Sequence, residues 1–138
     1  MSGAYRMRVP IEVRFRDTDA MGHVNNAVYF TYLEAARNAY WFHVVGGSSE
    51  RDLGFILARA ECDFRAAVKF GEALEVGVRV AEMGRSSFVM EYELVVPGSA
   101  RVVATAKTVQ VSYDYATART RPLPDATREA IERFERSS

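Results

Sequence analysis

At 138 residues the chain has the length of one domain, which at that size buries roughly two-thirds of the surface its unfolded form exposes. Its residues are 49% hydrophobic and 26% charged, and 18 basic side chains are balanced by 18 acidic ones, which removes the electrostatic ground for a nucleic acid or an anionic membrane as main partner. The single cysteine, Cys62, excludes an internal disulfide, and no segment approaches about 18 uncharged apolar residues.

A reducing, cytoplasmic setting is therefore expected, in keeping with an N-terminus that lacks an apolar run before a small-residue cleavage site. No repeat or linker divides the sequence, so a single domain spanning 1–138 is expected. In chain order, Met7, Val9, Ile11, Val13 and Phe15 alternate with Arg8, Pro10, Glu12, Arg14 and Arg16, the period-two pattern of a strand with one buried face. Pro10 cannot donate to a ladder, which assigns this strand to an edge. Asp17 to Asn26 reads as a connection in which Gly22 supplies backbone freedom and Asn25 and Asn26 are helix-capping candidates.

From Ala27 to about Val45, Tyr29, Leu33, Ala36 and Tyr40 recur at helical steps and predict a long core helix, ended by Gly46 and Gly47. Four long segments rich in Val, Phe, Tyr and Ala follow: Phe55 to Arg65, Leu74 to Glu82, Ser87 to Val96 and Arg101 to Tyr115. The short separators "KFGEA", "MGRS" and "PGSA" make the last three strands an antiparallel meander. The ending "LPDATREAIERFE" predicts a short helix with Asp125 as N-cap and a stripe of Ala130, Ile131 and Phe134. This order implies an α+β fold, one long antiparallel sheet with the long helix on its concave face.

The chemistry is concentrated before the long helix. A helix N-terminus gathers unpaired N–H groups and partial positive charge, so it stabilises an oxygen that becomes negative during a reaction. Just ahead of it stand Asp19, His23, Asn25 and Asn26. A carboxylate beside such a site can hydrolyse an acyl group, by attacking the carbonyl or by taking a proton from water.

The run "RFRDTDAMGHVNNAVYFTYLEAAR" resembles the 4-hydroxybenzoyl-CoA thioesterase-like family of hotdog-fold acyl-CoA thioesterases, as do "VKFGEALEVGVRVAEMGRSSFVMEYEL" and "RTRPLPDATREAI" further on. The resemblance implies an acyl-CoA substrate, Asp19 as catalytic carboxylate, Asp17 as loop support and the Asn26 amide as oxyanion donor. It also implies that His23 and Asn25 orient the loop, the water or the carbonyl, and that Arg85, Ser86 and Ser87 lie near the CoA moiety. Tyr29, one turn into the helix, can line the acyl pocket. A homodimer or homotetramer is implied, with active sites between subunits and no cofactor beyond the substrate's own CoA. Ala67 departs from the pattern, standing where many relatives carry proline.

Plainer readings accompany these. Asp19 can cap its own loop, and Asn25 and Asn26 are caps in any case. Glu34 and Arg37 have the spacing of an ion pair, and His43, towards the apolar side of the helix C-terminus, reads as a satisfied histidine. Cys62 reads as a half-buried structural thiol, and two distant histidines with one cysteine give no metal site. Two other functions fit the same loop: a hotdog hydratase-dehydratase of enoyl or 3-hydroxyacyl thioesters, using His23 with Asp19 or Glu34, and a non-catalytic acyl-CoA-binding protein.

Overall fold

The structure is a computed structural model that describes residues 5–47, 53–99 and 101–136. Its elements are β1 (Met7–Ile11), α1 (Asn26–Val44), β2 (Phe55–Phe64), β3 (Leu74–Met83), β4 (Ser87–Val96), β5 (Arg101–Asp114), β6 (Arg119–Thr120) and α2 (Asp125–Arg136). The main strands form one antiparallel sheet in the order β1-β3-β4-β5-β2, and the two-residue β6 pairs with the end of β5. The expected meander is β3-β4-β5, and Pro10 lies in an edge strand opposite Glu75. Residues 48–52, within the expected loop before β2, lie outside the described residues.

One face of α1 supplies Tyr29, Tyr32, Leu33, Ala36, Tyr40 and Trp41 to a core completed by Val76 and Val78 of β3, Phe88, Met90, Tyr92 and Leu94 of β4, and Val103 and Ala104 of β5. Alternation along β4 places every second side chain under the helix. This is the sheet-and-helix arrangement that the sequence order implied. The helix closes as expected, with Gly46 N–H donating to the Trp41 carbonyl and Gly46 at φ +117°. At the other end of the chain α2 packs Phe134 edge-on against Tyr40. Its Glu135 accepts from Tyr40 Oη (2.6 Å) and from Val80 N–H (3.0 Å), a ladder donor on β3 beyond the reach of β1.

Three expectations need correction. The first strand stops at Ile11 and Phe15 is 77% exposed, because Asp17 draws residues 14–17 into a 3-10 turn: its carboxylate accepts from Arg14 N–H (3.0 Å) and from the Arg14 guanidinium (3.0 Å). Glu34 and Arg37 form no ion pair among the described residues; Arg37 is buried and donates to Tyr92 Oη (3.3 Å), while Glu34 is exposed. His43 is exposed, in edge contact with Phe134. Cys62 is half-buried as expected, and burial, with Asp63 beside it, pushes its thiol up to about 11, where it is protonated at neutral pH.

Candidate active site

The loop before α1 is built on Asp17. Only 2% exposed, it accepts from Tyr32 Oη (2.8 Å) one turn and a half into the helix, besides its bonds to Arg14, and its carbonyl accepts from Asn25 N–H (2.9 Å). Burial would raise its carboxyl, but the side-chain and backbone bonds from Arg14 and the bond from Tyr32 outweigh this and hold it below the usual carboxylate range. Burial, together with the same contact, pushes the Tyr32 phenol well up. Asp17 thus fixes where the loop leaves β1 and where it enters the helix.

From that support the chain makes a tight return. Asp19 N–H donates to the His23 carbonyl (2.8 Å), Gly22 N–H to the Asp19 carbonyl (3.0 Å), and Gly22 adopts φ +79°, which a glycine accepts without strain. The Asp19 carboxylate accepts from Met21 N–H (2.9 Å) and His23 N–H (3.3 Å), and both bonds fall on Oδ1. Oδ2 has no donor among the described residues. The loop-capping role of Asp19 is therefore present and leaves one oxygen open.

The start of α1 is selective in the amides it leaves free. Asn25 is the N-cap: its Oδ1 takes the Ala27 N–H (2.9 Å) and its carbonyl takes the Val28 N–H (2.9 Å). The Asn26 N–H has no acceptor among the described residues. It lies at the positive end of a 19-residue helix dipole with no partner of its own.

These groups share one open groove of about 330 Å³, lined by Asp19, His23, Val24, Asn26 and Tyr29 from the loop and α1, and by Phe64, Arg65, Ala66 and Ala67 from the end of β2. Tyr29 is buried against Phe64 with ring centroids 5.1 Å apart. Asp19 and Asn26 on one side, opposite the aromatic and small residues at the end of β2, suit a polar carbonyl carried on an apolar chain.

Of the residues singled out from sequence, Asp19, His23, Asn26 and Tyr29 come together in this groove. Asn25 turns its side chain back onto the helix start instead. Arg85, Ser86 and Ser87 lie at the opposite end of the sheet: Ser87 pairs with Val111, whereas the groove wall at Phe64 is level, through Ala104, with Leu94. Seven residues of β4 separate these levels, about 23 Å at about 3.3 Å per residue. There Arg85 and Ser86 offer their carbonyls to Leu123 N–H (2.9 Å) and Ser112 N–H (2.7 Å). That Phe64 to Ala67 line the site escaped the sequence reading, since only the fold brings the end of β2 across from the loop. Among the described residues no three His, Cys, Asp or Glu side chains gather to hold a metal, and no helix is long and apolar enough to cross a membrane.

Residues 13–131 match the model of the thioesterase-like superfamily. The chain is 30% identical over 122 residues to a 1,4-dihydroxy-2-naphthoyl-CoA hydrolase of Synechococcus elongatus, covering 82% of this chain and 85% of that one. It is 32% identical over 82 residues to the uncharacterised protein YsmA of Bacillus subtilis, covering 59% of this chain and 56% of that relative's length. Among solved structures, a Thermus thermophilus thioesterase complexed with coenzyme A and zinc superposes with a TM-score of 0.85 at 38% identity, over 95% of each chain. With 119 of its 138 residues inside the family model, this chain belongs to the thioesterase-like superfamily.

Proposed function

We propose that the protein is an acyl-CoA thioesterase, acting as a single domain, which hydrolyses an acyl-CoA to the free acid and CoA. The observation that carries the reading is that Asp19, with one carboxylate oxygen unbonded, and Asn26, with its N–H unpartnered, line the same groove. The thioester carbonyl lies against the Asn26 amide, which holds the oxyanion as the carbonyl carbon becomes tetrahedral. Asp19 takes the proton of the attacking water or attacks the carbon itself, with its loop bonds to Met21 and His23 keeping the carboxylate in place. His23 borders the reacting centre, and Tyr29 with Phe64 lines the acyl side.

A homodimer or homotetramer is part of the same proposal. β2 is an edge strand ten residues long whose face exposes Leu57 (46%) and Phe64 (43%) in the single chain. A two-fold pairing of β2 edges would set the Phe55 end of a second copy beside the Phe64 end of this one. That places the turn at residues 84–87 of the second copy at the same end as Asp19, the one route by which Arg85, Ser86 and Ser87 join a CoA site here. Sedimentation should accordingly give a mass of two or four chains, and a monomer would remove this part of the proposal. A cytoplasmic location is proposed with it, in keeping with a lone, protonated Cys62.

The test is thiol release from short, long and aromatic acyl-CoAs by the purified chain. Stoichiometric release of CoA and free acid from at least one class is expected. Hydration of an enoyl-CoA without thiol release, or saturable binding with no turnover, would overturn the reading.

A further inference from the structure

The loop that carries Asp19 does not stand alone: it is fastened to the connection between β2 and β3 at two points. His23 pairs with Lys69 in an antiparallel bridge closed by Val24 N–H donating to the Val68 carbonyl (2.8 Å), and Phe15 meets Phe70 edge to face with centroids 5.7 Å apart. The position of Asp19 therefore depends on what holds residues 67–72, which include the exposed Phe70 and a Gly71 at φ +93°.

Val68 anchors them in the core, and the rest of the turn is held by one carboxylate and one guanidinium. Glu72 folds back on its own turn, accepting from Lys69 N–H (2.8 Å) while its N–H reaches the Lys69 carbonyl (3.1 Å). It also receives Arg101, at the start of β5, with Nη1 to Oε2 (3.1 Å) and Nη2 to Oε1 (3.2 Å). Arg101 Nη2 further reaches the carbonyl of Ala67, on the groove wall, at 2.9 Å. The planar fork of arginine serves both acceptors at once, which a lysine ammonium would not do in the same geometry. The Lys69 amide first, and then Arg101, hold the Glu72 carboxyl below the usual range, so the clamp is fully charged at neutral pH.

We infer that Glu72 and Arg101 are positioning residues for catalysis: they set residues 67–72, and through Val68, Lys69 and Phe70 they set the place of the Asp19 loop against the groove. Resting on the thioesterase reading, this predicts a rate effect without a binding effect, because Arg101 grips protein groups and the displaced group is the reacting carboxylate.

The experiment compares the wild-type chain with Glu72→Ala, Arg101→Ala and the double variant, following kcat and KM for CoA release and hydrogen exchange at the Val24 amide. Each single variant should lower kcat by about tenfold or more with KM shifted less than about twofold. The double variant should be no slower than the slower single one, since both remove the same clamp. Exchange at Val24 should quicken by about tenfold or more in all three. Where the alanine variants fail to fold, Glu72→Gln and Arg101→Lys carry the same comparison. Unchanged kcat in folded variants, a rise in KM alone, or losses that multiply in the double variant would each overturn the inference. If the wild-type chain releases no thiol from any acyl-CoA, the functional reading falls by itself and Val24 exchange decides the clamp, faster exchange supporting it and unchanged exchange refuting it.

Discussion

The two halves of the loop before α1 carry one aspartate each and use them in opposite ways. In the first half, Asp17 is 2% exposed and receives Arg14 N–H, the Arg14 guanidinium and Tyr32 Oη. In the second, Asp19 is exposed, lines the groove, spends Oδ1 on two loop amides and leaves its other oxygen without a donor among the described residues. A carboxylate surrounded by donors is held ionised and inert, whereas one anchored by half of itself is placed and still able to react. A two-residue step in sequence thus separates scaffold from chemistry, both on the loop that Asn25 joins to the helix.

Outside the two aspartates, the largest effect should come from Asn26→Pro. Proline is tolerated at the first helical position, and Asn25 already holds φ −64°, ψ 138°, the extended conformation a residue before proline prefers. The change deletes one N–H while leaving the helix, and kcat should fall on the order of 10²-fold. Asn26→Ala keeps the amide and should stay within a few-fold of wild type. Equal losses in the two variants would transfer the role from the amide to the side chain.

The supporting half is broken by Asp17→Asn, which weakens the buried bond to Tyr32 and should cost about 2 kcal/mol in urea unfolding. Its pH signature follows from the depressed carboxyl. Asp17 stabilises the fold fully above the unfolded value, about 3.9, and that contribution is lost as pH falls through the lower folded value. The variant should therefore show a flatter acid limb than wild type, and an identical limb would show that Asp17 is not the group responsible. Smallest is Gly22→Ala: the site has open space but a left-handed backbone, so a loss of about 1 kcal/mol is expected from strain alone. A melting temperature equal to wild type would contradict that.

Much of the fold was legible because its signals are local. The alternation in Ser87–Val96 and the helical steps of Tyr29, Leu33, Ala36 and Tyr40 need no partner to be read, and both elements end within a residue or two of expectation. The first strand was misread at its end because the group that turns the chain, Asp17, is held from Tyr32, fifteen residues further on. Arg37 likewise left its helical neighbour Glu34 for Tyr92, a contact across 55 residues that no spacing rule contains. For the site, the loop residues Asp19, His23 and Asn26 were visible in one contiguous motif, but the opposite wall at Phe64–Ala67 and the grip of Arg101 on Glu72 depend on register. Arg85, Ser86 and Ser87 show the limit of the same reasoning, since a strand-start motif does not say which end of the sheet it occupies.

The most direct test of the division between the two aspartates is kcat for CoA release by Asp19→Asn, measured beside Asp17→Asn at equal concentrations of folded protein. Asp19→Asn should lose on the order of 10³-fold in kcat while keeping its melting temperature, and Asp17→Asn should keep most of its rate per folded molecule while losing stability. A rate within a few-fold of wild type for folded Asp19→Asn would contradict the assignment of the chemistry to Asp19.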